Sequence, residues 1–242
     1  MFLLSRYIIN RVFGLYSIIP FYRDFSIRFT DSQGLKYYAK IQDWWRFAKP
    51  FEPLTHKFLF EHARKSDVFL DVGAHIGIYT IRLGLRVSRI IALGPEPQNY
   101  NFIYRNILVN HLNDKVIALP VAASDKDSHA YLCVKTFSGD HTLEDSRNCK
   151  KRIKVITVRI DTLLKILNIE KVDIIKIDVE HHENKVINGM NGLLSNNPPR
   201  ILVIETRKNN SDLQKLFIEL GYKVVVLDSQ NSSCNYGFYK MM

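Results

Sequence analysis

The sequence predicts an α/β fold, a doubly wound sheet of mostly parallel strands with helices on both faces. Two observations carry that expectation. From residue 67 onward, apolar runs of strand length alternate with stretches of helical periodicity, and the loop "DVGAHIG" turns the first run directly into the first helix. The chain has 242 residues and is 46% hydrophobic, enough for one large core.

The opening stretch "MFLLSRYIINRVFGLYSIIPFY" is apolar but broken by Arg6 and Arg11. Its uncharged run, Val12 to Tyr22, falls short of the ~20 residues a spanning helix needs. It lacks the small-residue cleavage site of a secretory leader. As a helix it sets Phe2, Ile9, Phe13 and Tyr16 opposite Arg6, Asn10 and Ser17, which suits docking on the core or lying in a membrane interface.

"FSIRFTDSQGLKYYAK" reads as a hairpin turning at "TDSQG". "DVFLDVG" is the first core strand, "IGIYTIRLGLRV" the first helix and "RIIALG" the second strand. The next helix starts at Pro97, with Phe102, Ile103, Ile107 and Leu108 on its apolar face. "KVIALPVAAS" reads as strand three, and "HAYLCVKT" and "RIKVITVRI" as an antiparallel pair around a polar loop. "VDIIKIDV" is a strand, residues 182–195 a helix, and "RILVIET" a strand after Pro198 and Pro199. "SDLQKLFIEL" is a helix opened by a Ser cap, followed by the strands "YKVVVLD" and "YGFYKM".

Lys and Arg outnumber Asp and Glu by 34 to 24, and the net charge of +10 favours anionic partners such as nucleic acid, phospholipid or a phosphorylated substrate. Cys133, Cys149 and Cys234 form an odd set without a CxxC pair, so no disulfide framework or zinc knuckle is expected and a reducing cytosol fits.

Open α/β sheets bind ligands beyond the carboxyl ends of their strands, which directs attention to the loops there. In "DVGAHIG", Gly73 and Gly77 permit tight turning, and the following helix presents free N–H groups to a carboxylate or phosphate. Asp71 would suit a cationic group of the same ligand, while His75 stands where a dinucleotide fingerprint would require glycine.

The strand "VDIIKIDV" runs into "DVEHHE", residues 178–183. Three readings stand: His181 or His182 as general base; Asp178, Glu180, His181 and Glu183 as metal ligands; or a solvated turn with Glu183 in the first helical turn. Asp140 and His141 in "SGDHTLED" belong either to an acceptor lid or to a solvated turn. Glu205, ending "ILVIET", faces the ligand side as an acceptor contact or a helix cap. No GxSxG, Walker loop, HExxH or Cys/His pairing is present.

In order and spacing, "FLDVGAHIGIYTIRLG", "IIALGPEPQNYNFIYRNILVN", "PVAASDKDSHAYL" and "VDIIKIDVEHHENKVINGM" resemble the FkbM-like methyltransferases, S-adenosylmethionine-dependent enzymes of the Rossmann-like class. The resemblance covers residues 50–205, including the lead-in "FEPLTHKFLFE". It implies seven strands, the last antiparallel, with S-adenosylmethionine across the carboxyl ends of the first four. By position, Asp71, Gly73, Ala74, His75 and Gly77 hold the methionine part, Ala123 and Asp125 border the adenine, and Asp178 lies beside the methyl.

Asp178, Glu180 and His181 are the candidate catalytic residues, His181 standing where the family more often has glycine, and no metal is expected. The family places an acid before the first proline for the ribose hydroxyls. Gly94 occupies that place here, so the role passes to Glu96. Residues 1–66 form an N-terminal helix and hairpin extension packed on the core, and residues 67–242 the methyltransferase domain. The implied activity is O-methylation of a sugar, glycan or lipid-linked glycan in the cytoplasm, with peripheral membrane contact through the basic first helix. RNA methylation, or a binding protein that kept the fold and lost the cofactor, are the alternatives.

Overall fold

The computed structural model describes residues 26–48, 51–144, 149–229 and 232–240. The amphipathic helix expected at the N-terminus lies outside these residues. Among them, no helix is long and apolar enough to cross a membrane.

The main sheet has seven strands in the order β11-β12-β10-β9-β3-β4-β5. Its centre is β3 (Val68–Val72), flanked by β9 (Ile174–Ile177) and β4 (Arg89–Leu93), with β5 (Val116–Leu119) and β10 (Ile201–Arg207) outside them. These five run parallel, whereas β12 (Ser233–Tyr239) is antiparallel both to β10 and to β11 (Lys223–Ser229). The last strand is thus the reversed one, as expected.

Helices on both faces explain why the central strands are apolar at nearly every position. Alternate residues feed opposite cores. Leu70, Val72, Ile91, Ile175, Ile177, Leu202 and Ile204 enter one; Phe69, Ile90, Ala92, Ile174, Ile201 and Val203 enter the other.

On the second face lie α2 (Pro53–His62), α3 (Ile78–Leu83) and α4 (Pro97–Val109). In α4 Phe102, Ile103 and Ile107 are buried, but Leu108 is 46% exposed, because it lies one step beyond the buried stripe. The hairpin of β1 (Ser26–Thr30) and β2 (Lys36–Lys40) packs Leu35, Tyr37 and Ala39 into the same core. A 3-10 turn at Ile41–Asp43 and the short helix α1 (Trp45–Ala48) follow it.

The chain departs from sequence expectation at several points. "KVIALPVAAS" is not one strand: β5 ends at Leu119, and β6 (Ala122–Ala123) pairs with β8 (Lys151–Val158) in a separate sheet of order β6-β8-β7. Pro120 stands at the break, and without an N–H it cannot continue the ladder. β7 (Ser128–Val134) and β8 do form the expected antiparallel pair.

Residues 182–195 form two helices, α6 (Glu183–Asn188) and α7 (Asn191–Asn196), rather than one. Between them a Cβ on Gly189 would stand 2.0 Å from the carbonyl oxygen of Ser124, so only glycine allows that approach. Helix α5 (Ile160–Ile166) packs beside them, and α8 (Ser211–Glu219) is capped by Asn210, whose Oδ1 accepts from Leu213 N, rather than by Ser211. Cys133 and Cys149 are joined in a disulfide with Cα atoms 5.2 Å apart, which corrects the expectation of unpaired thiols. The fold of the β7–β8 hairpin brings them together, and spacing alone held no sign of it. Cys234 is free and buried.

The hairpin is tied to the core by Asn106, which is 0% exposed. Its Nδ2 donates to the carbonyls of Ile76 and Tyr38, and its Oδ1 accepts from Tyr38 N. Replacing Asn106 by Ala leaves these backbone groups without partners and is expected to lower unfolding free energy by about 2 to 3 kcal/mol in denaturant titration.

Candidate active site

The site is built where β3, β4, β5 and β9 end. After Val72 the backbone turns through left-handed conformations at Gly73 (φ 83), His75 (φ 53) and Gly77 (φ 87) before α3 begins. A Cβ on Gly73 would meet the carbonyl oxygen of Asp178 at 1.8 Å, so glycine is obligatory where the ends of β3 and β9 press together. Gly73 N and Ala74 N both donate to Leu93 O, which fixes the loop against β4.

Two adjoining cavities open here. The first is walled by Val72, Gly73 and His75, by Leu93 to Glu96, by Asn99 of α4, by Val121 to Ala123, and by Asp178, Val179, Glu180 and His182. Ser138, Gly139, His141 and Leu143, from the β7–β8 loop, close it as a lid. The second is walled by Trp45, Arg46, Phe51, Glu52, Asp140 and Glu205, and shares Gly73, His75, Gly139, Asp178 and Glu180 with the first.

The first cavity fits the cofactor that the resemblance implies. It lies over the carboxyl ends of the central strands, and it is lined by Asn99, whose buried Oδ1 has no hydrogen-bond partner while its Nδ2 donates to Ser138 O. Glu96 is in the wall, but its Oε2 caps α4 by accepting from Asn99 N. One carboxylate oxygen therefore remains for a ribose hydroxyl. A Cβ at Gly94 meets nothing within 4 Å, so the place the family gives to an acid has open space.

Ala123 lines this cavity, whereas Ala74, Gly77 and Asp125 do not, and Asp125 accepts from Ser124 Oγ instead. Asp71 is turned under the loop: it is buried, accepts from Thr80 Oγ1 at 2.6 Å and is pushed up to about 6 by burial. It therefore stands behind the cavity wall.

His75 Nε2 meets Ser138 Oγ at 2.7 Å, and Ser138 Oγ in turn donates to the buried Asp43. The loop after β3, the lid and the N-terminal hairpin segment are thereby bound together. Burial drives the His75 imidazole well below its ordinary range, so it is neutral.

At the end of β9, Lys176 is 2% exposed, donates to Asp178 Oδ2 at 2.8 Å and lies 4.6 Å from the centre of the Tyr79 ring. Burial works to lower its pKa, but Asp178, Glu52, Asp71 and Glu205 together raise it. Tyr79 in turn donates its hydroxyl to Glu52. Carboxylate oxygens of Glu52, Asp178 and Glu205 lie within 4.8 Å of one another. This is not the set Asp178, Glu180, His181 and Glu183 weighed as metal ligands, and one of its members, Asp178, is already bonded to the ammonium of Lys176. Glu180 is raised to about 8 by burial and by Asp178, Glu205 and Asp140. Glu205 is raised to about 8 by Asp178 and by burial.

The two histidines of "DVEHHE" divide differently from expectation. His181 is exposed, with φ 78, and lines neither cavity, so the structure does not bring it together with Asp178 and Glu180. The backbone turn that aims Glu180 inward carries the next side chain out. His182 is buried, with Nε2 against Ser124 Oγ at 3.0 Å and Nδ1 against Glu144 Oε1 at 2.7 Å, so it joins the loop after β6 to the lid. Glu183 accepts from His181 N, and burial raises it to about 7.

Asp43, Glu52, Asn99 and Lys176 were not singled out in the sequence. Only Lys176 left a signal there, as a charge inside an otherwise apolar strand.

The description of the methyltransferase FkbM domain matches residues 71–236. Among characterised proteins, the chain is 26% identical over 163 residues to the hexuronic acid methyltransferase AglP of Haloferax volcanii, covering 67% of this chain and 66% of AglP. It therefore spans just under two thirds of that relative's length. Among solved structures it resembles an rRNA methylase from Streptococcus thermophilus (TM-score 0.50, 10% identity, 78% of this chain and 95% of that one). It also resembles the M. jannaschii tRNA m1G37 methyltransferase (TM-score 0.51, 12% identity, 90% of this chain and 57% of that one). These two likenesses establish the fold alone.

Calorimetric titration with S-adenosylmethionine tests the first cavity. Gly73→Ala is expected to abolish binding, because the added Cβ forces β3 and β9 apart. Gly94→Glu is expected to tighten it about tenfold or more, since a charge-assisted hydrogen bond contributes about 1.5 to 3 kcal/mol.

Proposed function

The chain belongs to the FkbM-domain methyltransferases, S-adenosylmethionine-dependent enzymes, and from that premise we propose that it methylates a hydroxyl of a sugar, glycan or lipid-linked glycan. The observation that carries this reading is the pair of adjoining cavities, which share Asp178 and Glu180 at their junction. The similarity to AglP, a methyltransferase named for a hexuronic acid, supports a carbohydrate acceptor.

Bound S-adenosylmethionine supplies an electrophilic methyl group. What remains for the protein is to hold the acceptor oxygen in line with that methyl, keep water out and take the hydroxyl proton. Residues 67–242 form the floor and cofactor side. The extension, residues 1–66, supplies Trp45, Arg46, Phe51 and Glu52 to the acceptor side.

Glu180 is the residue we assign to the proton. It lines both cavities, its backbone carbonyl is held by Thr142 Oγ1 at 2.6 Å, and its raised pKa lies near working pH, where a general base is most effective. Asp178, fixed by Lys176, holds negative charge beside the reacting centre. The net charge of +10 keeps RNA as a second reading, in which affinity would fall steeply with salt.

With a carbohydrate acceptor, Glu180→Gln is expected to lower kcat by about 10² to 10⁴-fold. Because a carboxyl with a raised pKa carries its proton below it, wild-type turnover should climb with pH through about 8, and the variant should lose that inflection. The same shifts set stability. The folded state holds protons on Glu180 and Glu205 that the unfolded chain releases near 4.5, so stability present below 4.5 is lost as pH rises through about 8. The thermal midpoint should therefore fall between about pH 4.5 and pH 8, and fall less in Glu205→Gln.

A further inference from the structure

The acceptor cavity has a sign opposite to that of the molecule. In a chain of net charge +10, its wall carries Glu52, Asp140, Asp178, Glu180 and Glu205 against Arg46 alone among the described lining residues. Arg46 is stacked and ion-paired, although its buried Nε makes no hydrogen bond. Its guanidinium lies 4.5 Å from the ring centre of Trp45 and 4.9 Å from that of Phe51, and its Nε is 3.6 Å from Asp43 Oδ1. The nearby ammonium of Lys176 is committed to Asp178.

The wall also carries the aromatic rings of Trp45 and Phe51. Trp45 is 45% exposed, and its ring meets Phe51 edge-on at 5.6 Å. An apolar ring beside hydrogen-bonding carboxyls matches a pyranose, which shows C–H groups on a face and hydroxyls around its edge. It also suits an ammonium, which both aromatic faces and carboxylates attract.

Resting on the carbohydrate reading above, we propose that this cavity selects an uncharged or amino-bearing glycosyl unit and turns away uronates and phosphorylated sugars. Glu180, raised by burial and its acidic neighbours, and Glu205, raised by Asp178 and burial, hold protons near neutral pH and therefore donate as well as accept hydrogen bonds, as sugar hydroxyls do. A uronate would bring a full negative charge beside Asp140 and Asp178 and among carboxyls that already hold their protons, with Arg46, ion-paired to Asp43, as the one cation among the described lining residues, and like-charge juxtaposition is strongly unfavourable. The chain would then differ in acceptor from AglP, named for a hexuronic acid.

The test is saturation-transfer NMR on the full chain loaded with S-adenosylhomocysteine, using an equimolar mixture of methyl glucoside, glucosamine and glucuronate. Transfer to the first two is expected to exceed that to glucuronate by at least about tenfold, to be lost in Trp45→Ala, and to discriminate less in Asp140→Asn. Trp45 is exposed, so its removal leaves the core intact. Equal transfer to glucuronate overturns the inference and leaves the carbohydrate reading standing. Undiminished transfer in Trp45→Ala overturns the assignment of this cavity. No transfer to any sugar, with S-adenosylhomocysteine still bound, overturns the carbohydrate reading itself.

Discussion

The ammonium of Lys176 holds the centre of this molecule in place. It sits on a middle strand of the sheet, nearly inaccessible to water, between Asp178 at 2.8 Å and the face of Tyr79. A buried charge costs several kcal/mol unless it is paired and hydrogen-bonded, and the same holds for each carboxylate around it. Lys176 and the acids therefore require each other. From that mutual need follow the fixed direction of Asp178, the approach of Glu52 from the N-terminal segment and the ordering of Tyr79 on α3.

Around that centre, the acids exceed the cation that balances them. Burial and that surplus negative charge raise Glu180, while Asp178 and burial raise Glu205, and the site is left fitted to positive or hydrogen-bonding ligands. The sulfonium and ammonium of S-adenosylmethionine are of that kind. A site can thus be acidic in a basic protein, because net charge describes the surface as a whole and short-range pairing describes the cavity.

The pieces that complete the site come from far apart in the chain. Asp43 reaches Ser138 across 95 residues, and Ser138 meets His75 across 63. His182 ties Ser124 to Glu144. These short polar links let a hairpin extension and a surface loop form two walls of a cavity whose floor is the parallel sheet. They also show why the second histidine of a conspicuous pair bridges two loops while the first is exposed.

The sequence by itself determined the sheet, its mostly parallel order, the glycine loop after the first strand and the acidic end of β9, because backbone periodicity and turn chemistry are local and are written in adjacent residues. It did not determine the division of strand three at Pro120, the pairing of Cys133 with Cys149, the outward turn of His181 or the arrival of Glu52 beside Asp178. Those depend on which side of a strand or loop a side chain leaves, and on contacts between residues tens of positions apart. Only the closed tertiary structure decided them, since burial and charge pairing act through space and leave little trace along the chain.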